Sequence, residues 1–122
     1  MGAEWTMADA WVFAAIAGDR PDDIRSLRQV IGIADAINHA ILMEEEFTRA
    51  VGRLLGAGLI EADPAADHYQ ATAAGRALHR RCRGGWIDTV PAALHALGEP
   101  RDGHWALPEG AFQQAVRRYL DS

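Results

Sequence analysis

Apolar positions recur along the chain at helical spacing, and the recurrences break at a small number of turn-forming residues. Ala8, Trp11, Val12, Ala15 and Ile16 follow one another at three- and four-residue intervals until Gly18, and Thr6 with Asp9 resembles a capping box at the start of this run. A first helix with a buried face is predicted there. Pro21, Asp22 and Asp23 suit the first turn of a second helix, because proline needs no amide partner there and carboxylates complement the helix dipole. Its stripe is Ile24, Leu27, Ile31 and Ala34 with Val30 beside it, and it should end near Ile37, before Asn38 and His39 supply turn and cap hydrogen bonds. A third helix opens on Glu44, Glu45 and Glu46 and places Phe47, Val51, Leu54 and Leu55 on one face, until Gly56 and Gly58 stop it.

The period then changes from helical to alternating. LIEAD and HYQAT are short strand-like segments joined by a loop of turn formers, PAAD, and together predict a β-hairpin. Thr72 suits the cap of a further helix whose Ala74, Leu78 and Cys82 share a side, ended by Gly84 and Gly85. Trp86, Val90, Leu94 and Leu97 then recur at helical spacing, followed by a turn through Gly98, Pro100 and Gly103. Pro108 begins a last helix, with Phe112, Val116 and Leu120 on one face and Ala111, Ala115 and Tyr119 beside it. The expected fold is mainly α with one small antiparallel hairpin, an α+β arrangement in a single domain of residues 1–122.

The order helix, helix, turn, helix, hairpin, helix is that of a winged helix-turn-helix. RLLGAGLIEAD and HYQATAAGRAL resemble the stretch of MarR-type and PadR-type bacterial regulators in which the recognition helix ends, the wing follows and a Thr-x-x-Gly-x-x-Leu helix begins, here Thr72, Gly75 and Leu78. The resemblance covers about residues 6–83 and implies a winged helix-turn-helix core carrying C-terminal helices over 86–122, packed on it as an extension. DAINHAI before an acidic helix start resembles a further group of bacterial proteins and adds no function. Winged helices serve many tasks, so the resemblance implies a fold more than an activity.

Composition narrows the class. A length of 122 residues, 49% hydrophobic, suits one core and leaves no room for a second full domain. No apolar run reaches the 18 or more residues of a bilayer span, and no basic segment precedes an apolar one as in a signal peptide, so a cytoplasmic protein without membrane contact is expected. Cys82 is the only cysteine, which excludes an internal disulfide and accords with a reducing compartment. No HExxH, glycine-rich phosphate loop or GxSxG occurs, so no enzyme activity and no cofactor are expected. His79 and Cys82 stand three residues apart but have no second cluster at ligand spacing, and no metal site is expected.

Charge changes the picture most. The net charge is −5, all 12 basic residues are arginine, and residues 71–85 carry four of them and no carboxylate. A recognition helix offers its N-terminal end to bases and phosphates, and affinity for DNA comes from cations meeting phosphates. Here that end is Glu44, Glu45 and Glu46, an acidic patch that favours a protein partner and also complements the helix dipole. Only Arg49 and Arg53 on the same helix could reach DNA. Arg76, Arg80 and Arg83, at i, i+4 and i+7 with Arg81 nearby, form a basic stripe suited to nucleic-acid phosphate, to an acidic protein, or to the acidic helix of a second copy, and equally to a plain solvated face.

The expected function is therefore a non-catalytic winged-helix regulatory or interaction module that binds a protein partner or itself as a homodimer. The alternative is a DNA-binding transcriptional regulator. A third reading, a small-molecule sensor or enzyme, would use a pocket lined by Trp5, Trp11, Trp86 and Trp105, although Trp11 and Trp86 fit helix core faces and Trp105 could seal the C-terminal portion. Cys82 is open to two readings, a reactive thiol beside arginines or a buried member of the Leu78 face.

Overall fold

The computed structural model describes residues 3–18 and 20–122. Helix α1 (Met7–Ile16) starts at Thr6, whose Oγ accepts the Asp9 N–H at 3.2 Å while Asp9 Oδ2 accepts the Thr6 N–H at 2.9 Å. Two orphan amides are thereby satisfied. The helix is buried nearly all round, and not only on the face its spacing marks, because α3 and α2 pack on it together with α5. A helix without a polar face belongs inside a core.

Helix α2 (Leu27–Asn38) begins six residues later than the Pro21 start suggests. Ser26 and Gln29 form its capping box, whereas residues 20–24 turn ahead of it and leave Ile24 43% exposed. A Ser-x-x-Gln box satisfies two amides at once, which Pro21 with two aspartates does not. The helix ends as expected: His39 takes a left-handed conformation, φ 55° and ψ 40°, and its N–H donates to the Asp35 carbonyl. Helix α3 (Glu44–Gly56) follows, with Phe47, Val51 and Leu54 buried and Gly58 at φ +72° where the chain reverses.

Strands β1 (Ile60–Asp63) and β2 (His68–Ala71) pair antiparallel, Ile60 opposite Ala71 and Asp63 opposite His68. Arg25 adds a third backbone to this edge: its N–H donates to Tyr69 O at 2.9 Å and its carbonyl accepts the Tyr69 N–H at 2.8 Å. The segment before α2 is thus tied to the hairpin, which explains its extended form.

Helix α4 (Ala73–Arg81) starts at Thr72, whose hydroxyl accepts the Gly75 N–H and donates to the Gly58 carbonyl at 2.6 Å. A side chain at Gly75 would collide with the Leu59 carbonyl, so glycine there lets the helix start against the entry to β1. The helix is shorter than its spacing suggests. Cys82, at φ −87° and ψ 85°, leaves the helical region, and Gly85 becomes the residue preceding α5 (Trp86–His95). Leu97 falls beyond that helix and is exposed, as is Leu120 at the far end of α6 (Ala111–Leu120), which begins after a turn at Glu109 and Gly110 and so later than the Pro108 start. The fold class is accordingly mainly α with one small antiparallel hairpin, α+β. Among the described residues no helix is long and apolar enough to cross a membrane.

One core joins both portions of the chain. Phe112 and Ala115 of α6 and Val90 and Leu94 of α5 are buried with residues of α1, α2, α3 and the hairpin. Phe47 of α3 sits at the centre of an aromatic group: ring centroids lie 5.5 Å away at Tyr69, 5.8 Å at Trp105 and 5.7 Å at Phe112. Edge-on and tilted pairs of this kind contribute about 0.5–1.5 kcal/mol each beyond area burial. Residues from three separate parts of the sequence are held together here.

Candidate functional site

The outer faces of α2 and α3, with the loop of the hairpin, are the surfaces that a helix-turn-helix would present to DNA. Their occupancy decides what the arrangement can do. Along α3 runs the segment after α5: the Gly103 N–H donates to the Gly52 carbonyl at 2.7 Å and the Trp105 indole N–H to the Thr48 carbonyl at 3.3 Å. The backbone approaches so closely that a side chain at Gly56 would collide with the Arg101 carbonyl. Helix α6 then crosses to α2. Gln113 Nε2 donates to Glu44 Oε1 at 2.6 Å, and the Tyr119 hydroxyl donates to Asp35 Oδ2 at 2.6 Å with its ring over Gly32. The bond to Asp35 and burial both push the Tyr119 hydroxyl pKa up.

The three glutamates occupy the first turn of α3 and are used differently. Glu46 Oε1 accepts the Met43 N–H at 3.0 Å, Glu44 accepts from Gln113, and Glu45 is exposed. Charge at this end therefore complements the helix dipole and also anchors the C-terminal portion. The first turn of α2 is occupied as well: Asp67, in the hairpin loop at φ 57°, accepts the Leu27 N–H on Oδ1 at 2.8 Å. A carboxylate of the chain itself sits where a helix N-terminus could otherwise hold a phosphate.

The arginines divide into two groups. Arg53 was one of the candidate basic residues for nucleic acid or a partner, but its guanidinium turns inward, donating to Asp9 Oδ2 at 2.8 Å and to the Glu4 carbonyl at 2.9 Å, with the side chains of Arg53 and Asp9 only 14% and 1% exposed. Asp9 is buried and would be left uncompensated without this partner, so the half-buried Arg53 is committed to a structural pair. Arg76 is partly spent too, donating to the Ala71 carbonyl at 3.0 Å. Arg80 lies exposed on the last turn of α4, whereas Arg83 lies beyond the helix end at Arg81, so the expected stripe at i, i+4 and i+7 is broken after its second member. Arg49 is exposed in an open groove beside Glu45, Asp102 and Trp105.

All four indole N–H groups donate to backbone carbonyls: Trp5 to Gly98, Trp11 to Ala34, Trp86 to Ile37 and Trp105 to Thr48. The tryptophans join elements distant in sequence, and they do not gather around one cavity. Cys82 is half-buried against the core, and burial pushes its thiol pKa up, against smaller opposing pulls from a Thr89 hydrogen bond and from Arg81. That environment favours the neutral thiol. Among the described residues no group of three or more His, Cys, Asp or Glu is placed to hold a metal ion.

Residues that spacing did not single out do much of the positioning. Asp35 and Gln113 carry no local signal, and Asp9, Gly56 and Asp67 are marked only for local roles in a cap, a helix stop and a turn, yet each of the five acts through a partner far along the chain. No family model, characterised protein or solved structure matches the chain.

Proposed function

We propose that the chain is a non-catalytic interaction module of winged-helix type, similar in plan to MarR-type and PadR-type regulators, that binds a protein partner or a second copy of itself instead of duplex DNA. The observation that carries this reading is the cover over α2 and α3. Gly103, Trp105, Gln113 and Tyr119 bond to the same two helices that would have to enter or straddle the major groove. The cover is also rooted in the core through Phe112 and Ala115. Removing one buried phenylalanine side chain typically costs about 3–5 kcal/mol, so lifting α6 away would consume much of a small domain's stability. Glu45, Asp63 and Asp67 add like charge toward a polyanion. The regulatory role and a cytoplasmic setting belong to the same proposal. The commitment of all four indole N–H groups to backbone carbonyls supports a non-catalytic module over a sensor or enzyme built around a tryptophan-lined pocket.

One observation favours the second reading, a DNA-binding regulator. Arg49, Arg80 and Arg83 are exposed, and none has a carboxylate within ion-pair distance among the described residues. Fluorescence anisotropy of a labelled random duplex, titrated with the protein at low and then at higher salt, separates the two. The interaction-module reading expects no binding in either buffer. Micromolar binding that weakens steeply with salt, as counterion release requires, would overturn it.

A further inference from the structure

Helix α2 is packed by the core on one side and by α6 on another, and a third side is open. An open groove of about 560 Å³ lies along it, between the turn before α2 and the end of α6. Ile24, Ile33, Ala36 and Tyr119 provide apolar surface to this groove, and Asp22 and Arg28 also line it. Ile24, in the turn before α2, and Ala36 of the helix are exposed and Ile33 is half-buried, so apolar surface of the turn and of α2 faces water. Covering apolar surface contributes about 25 cal/mol per Å². Asp22 and Arg28 are both exposed, and the side chain of neither has a hydrogen bond or ion pair among the described residues.

We propose that a second copy of this chain docks in this groove about a two-fold axis, Asp22 of each copy meeting Arg28 of the other. Charge complementarity selects this occupant. Two acidic and two basic side chains line the groove; Asp23 accepts the Arg20 N–H and Arg25 donates to the Ile16 carbonyl, which leaves Asp22 and Arg28 free beside a shared apolar strip, and a surface with both signs is complementary to itself. A two-fold interface needs that property, because the same patch serves both subunits. A partner of one sign, nucleic acid included, would leave either Asp22 or Arg28 facing like charge. Glu44 and Glu46, by contrast, already bond within the chain, which leaves the acidic start of α3 less to offer a partner.

This docking deepens the interaction-module reading and rests on it. Sedimentation velocity of the full chain, from low micromolar to several hundred micromolar, tests it against a monomer mass of 13.3 kDa. The wild type should shift to twice that mass as concentration rises. Arg28→Glu and Asp22→Arg should each weaken association by about tenfold or more, and the double variant should recover most of the loss. Ile24→Glu, at an exposed position, should abolish the dimer while leaving the circular dichroism spectrum unchanged. A wild type that stays monomeric throughout overturns the proposal, as does a dimer indifferent to these variants or a double variant without recovery. The duplex titration is scored separately, so failure of self-docking is distinguishable from failure of the interaction-module reading.

Discussion

Replacing Arg53 by methionine keeps the length of the side chain and removes its charge. The Asp9 carboxylate would then remain in the core with the Thr6 N–H on Oδ2, while Oδ1 has no partner among the described residues even with Arg53 present. Breaking a buried pair by removing one member costs about 3–5 kcal/mol, because the other charge is left uncompensated. The guanidinium retains some solvent contact, 14% exposed against 1% for Asp9, which places the expected loss near the lower end, at about 3 kcal/mol. Unfolding entropy of about 2.1 cal/mol/K per residue gives a fall in Tm of about 12 °C for a chain of this length. Thermal unfolding followed by circular dichroism measures it. Asp9→Leu combined with Arg53→Met should be less destabilised than Arg53→Met alone, since no carboxylate is then stranded. An unchanged Tm for Arg53→Met would refute the reasoning and return Arg53 to the list of surface cations.

Other perturbations test the cover and the hairpin. Gly56→Ala sets a methyl group against the Arg101 carbonyl, so the segment at 101–105 must shift; a loss of about 1–3 kcal/mol is expected, with a change in tryptophan emission as Trp105 moves. A chemical denaturation curve and spectrum matching the wild type would mean that this segment does not lie on α3. Thr72→Ala removes the cap of α4 and a bond to Gly58, for an expected loss of about 1 kcal/mol in urea unfolding. Burial, then the nearby Asp67 charge, pushes the Tyr69 pKa up to about 12, and Tyr119 is raised chiefly by its bond to Asp35. Both pKa values lie higher in the folded chain than in the unfolded one, so the protonated rings favour folding; for Tyr69 this contribution is complete below pH 10 and is lost as pH rises toward 12. Tyrosinate absorbance should therefore lag behind that of the urea-unfolded chain in an alkaline titration, and coincident curves would contradict the placement of both rings.

Much of the architecture was legible in the sequence because it depends on neighbours. The Thr6–Asp9 and Thr72–Gly75 caps, the glutamates before Phe47, and the change of period between Gly58 and Thr72 all act within a few residues, where spacing alone sets geometry. Ser26 and Gln29 carried a signal of the same kind, and it outweighs Pro21 as the start of α2 because it satisfies two amides. Even the end of α4 is local in part, since the glycines at 84 and 85 mark the break and only its timing is early.

The direction of Arg53 and the cover over α3 were not legible, and the reason is separation along the chain. Arg53 finds Asp9 across 44 residues, Trp105 finds Thr48 across 57, Gln113 finds Glu44 across 69, and Tyr119 finds Asp35 across 84. Periodicity says that a residue lies on a polar face of its helix, but not what comes to rest against that face. The sequence by itself determined the elements, their order and the acidic start of α3. Only tertiary packing decided that Arg53 of α3 turns inward to Asp9 and that the chain's own C-terminal portion lies over part of the outer faces of α2 and α3, because both depend on contacts that exist only once distant segments share one core.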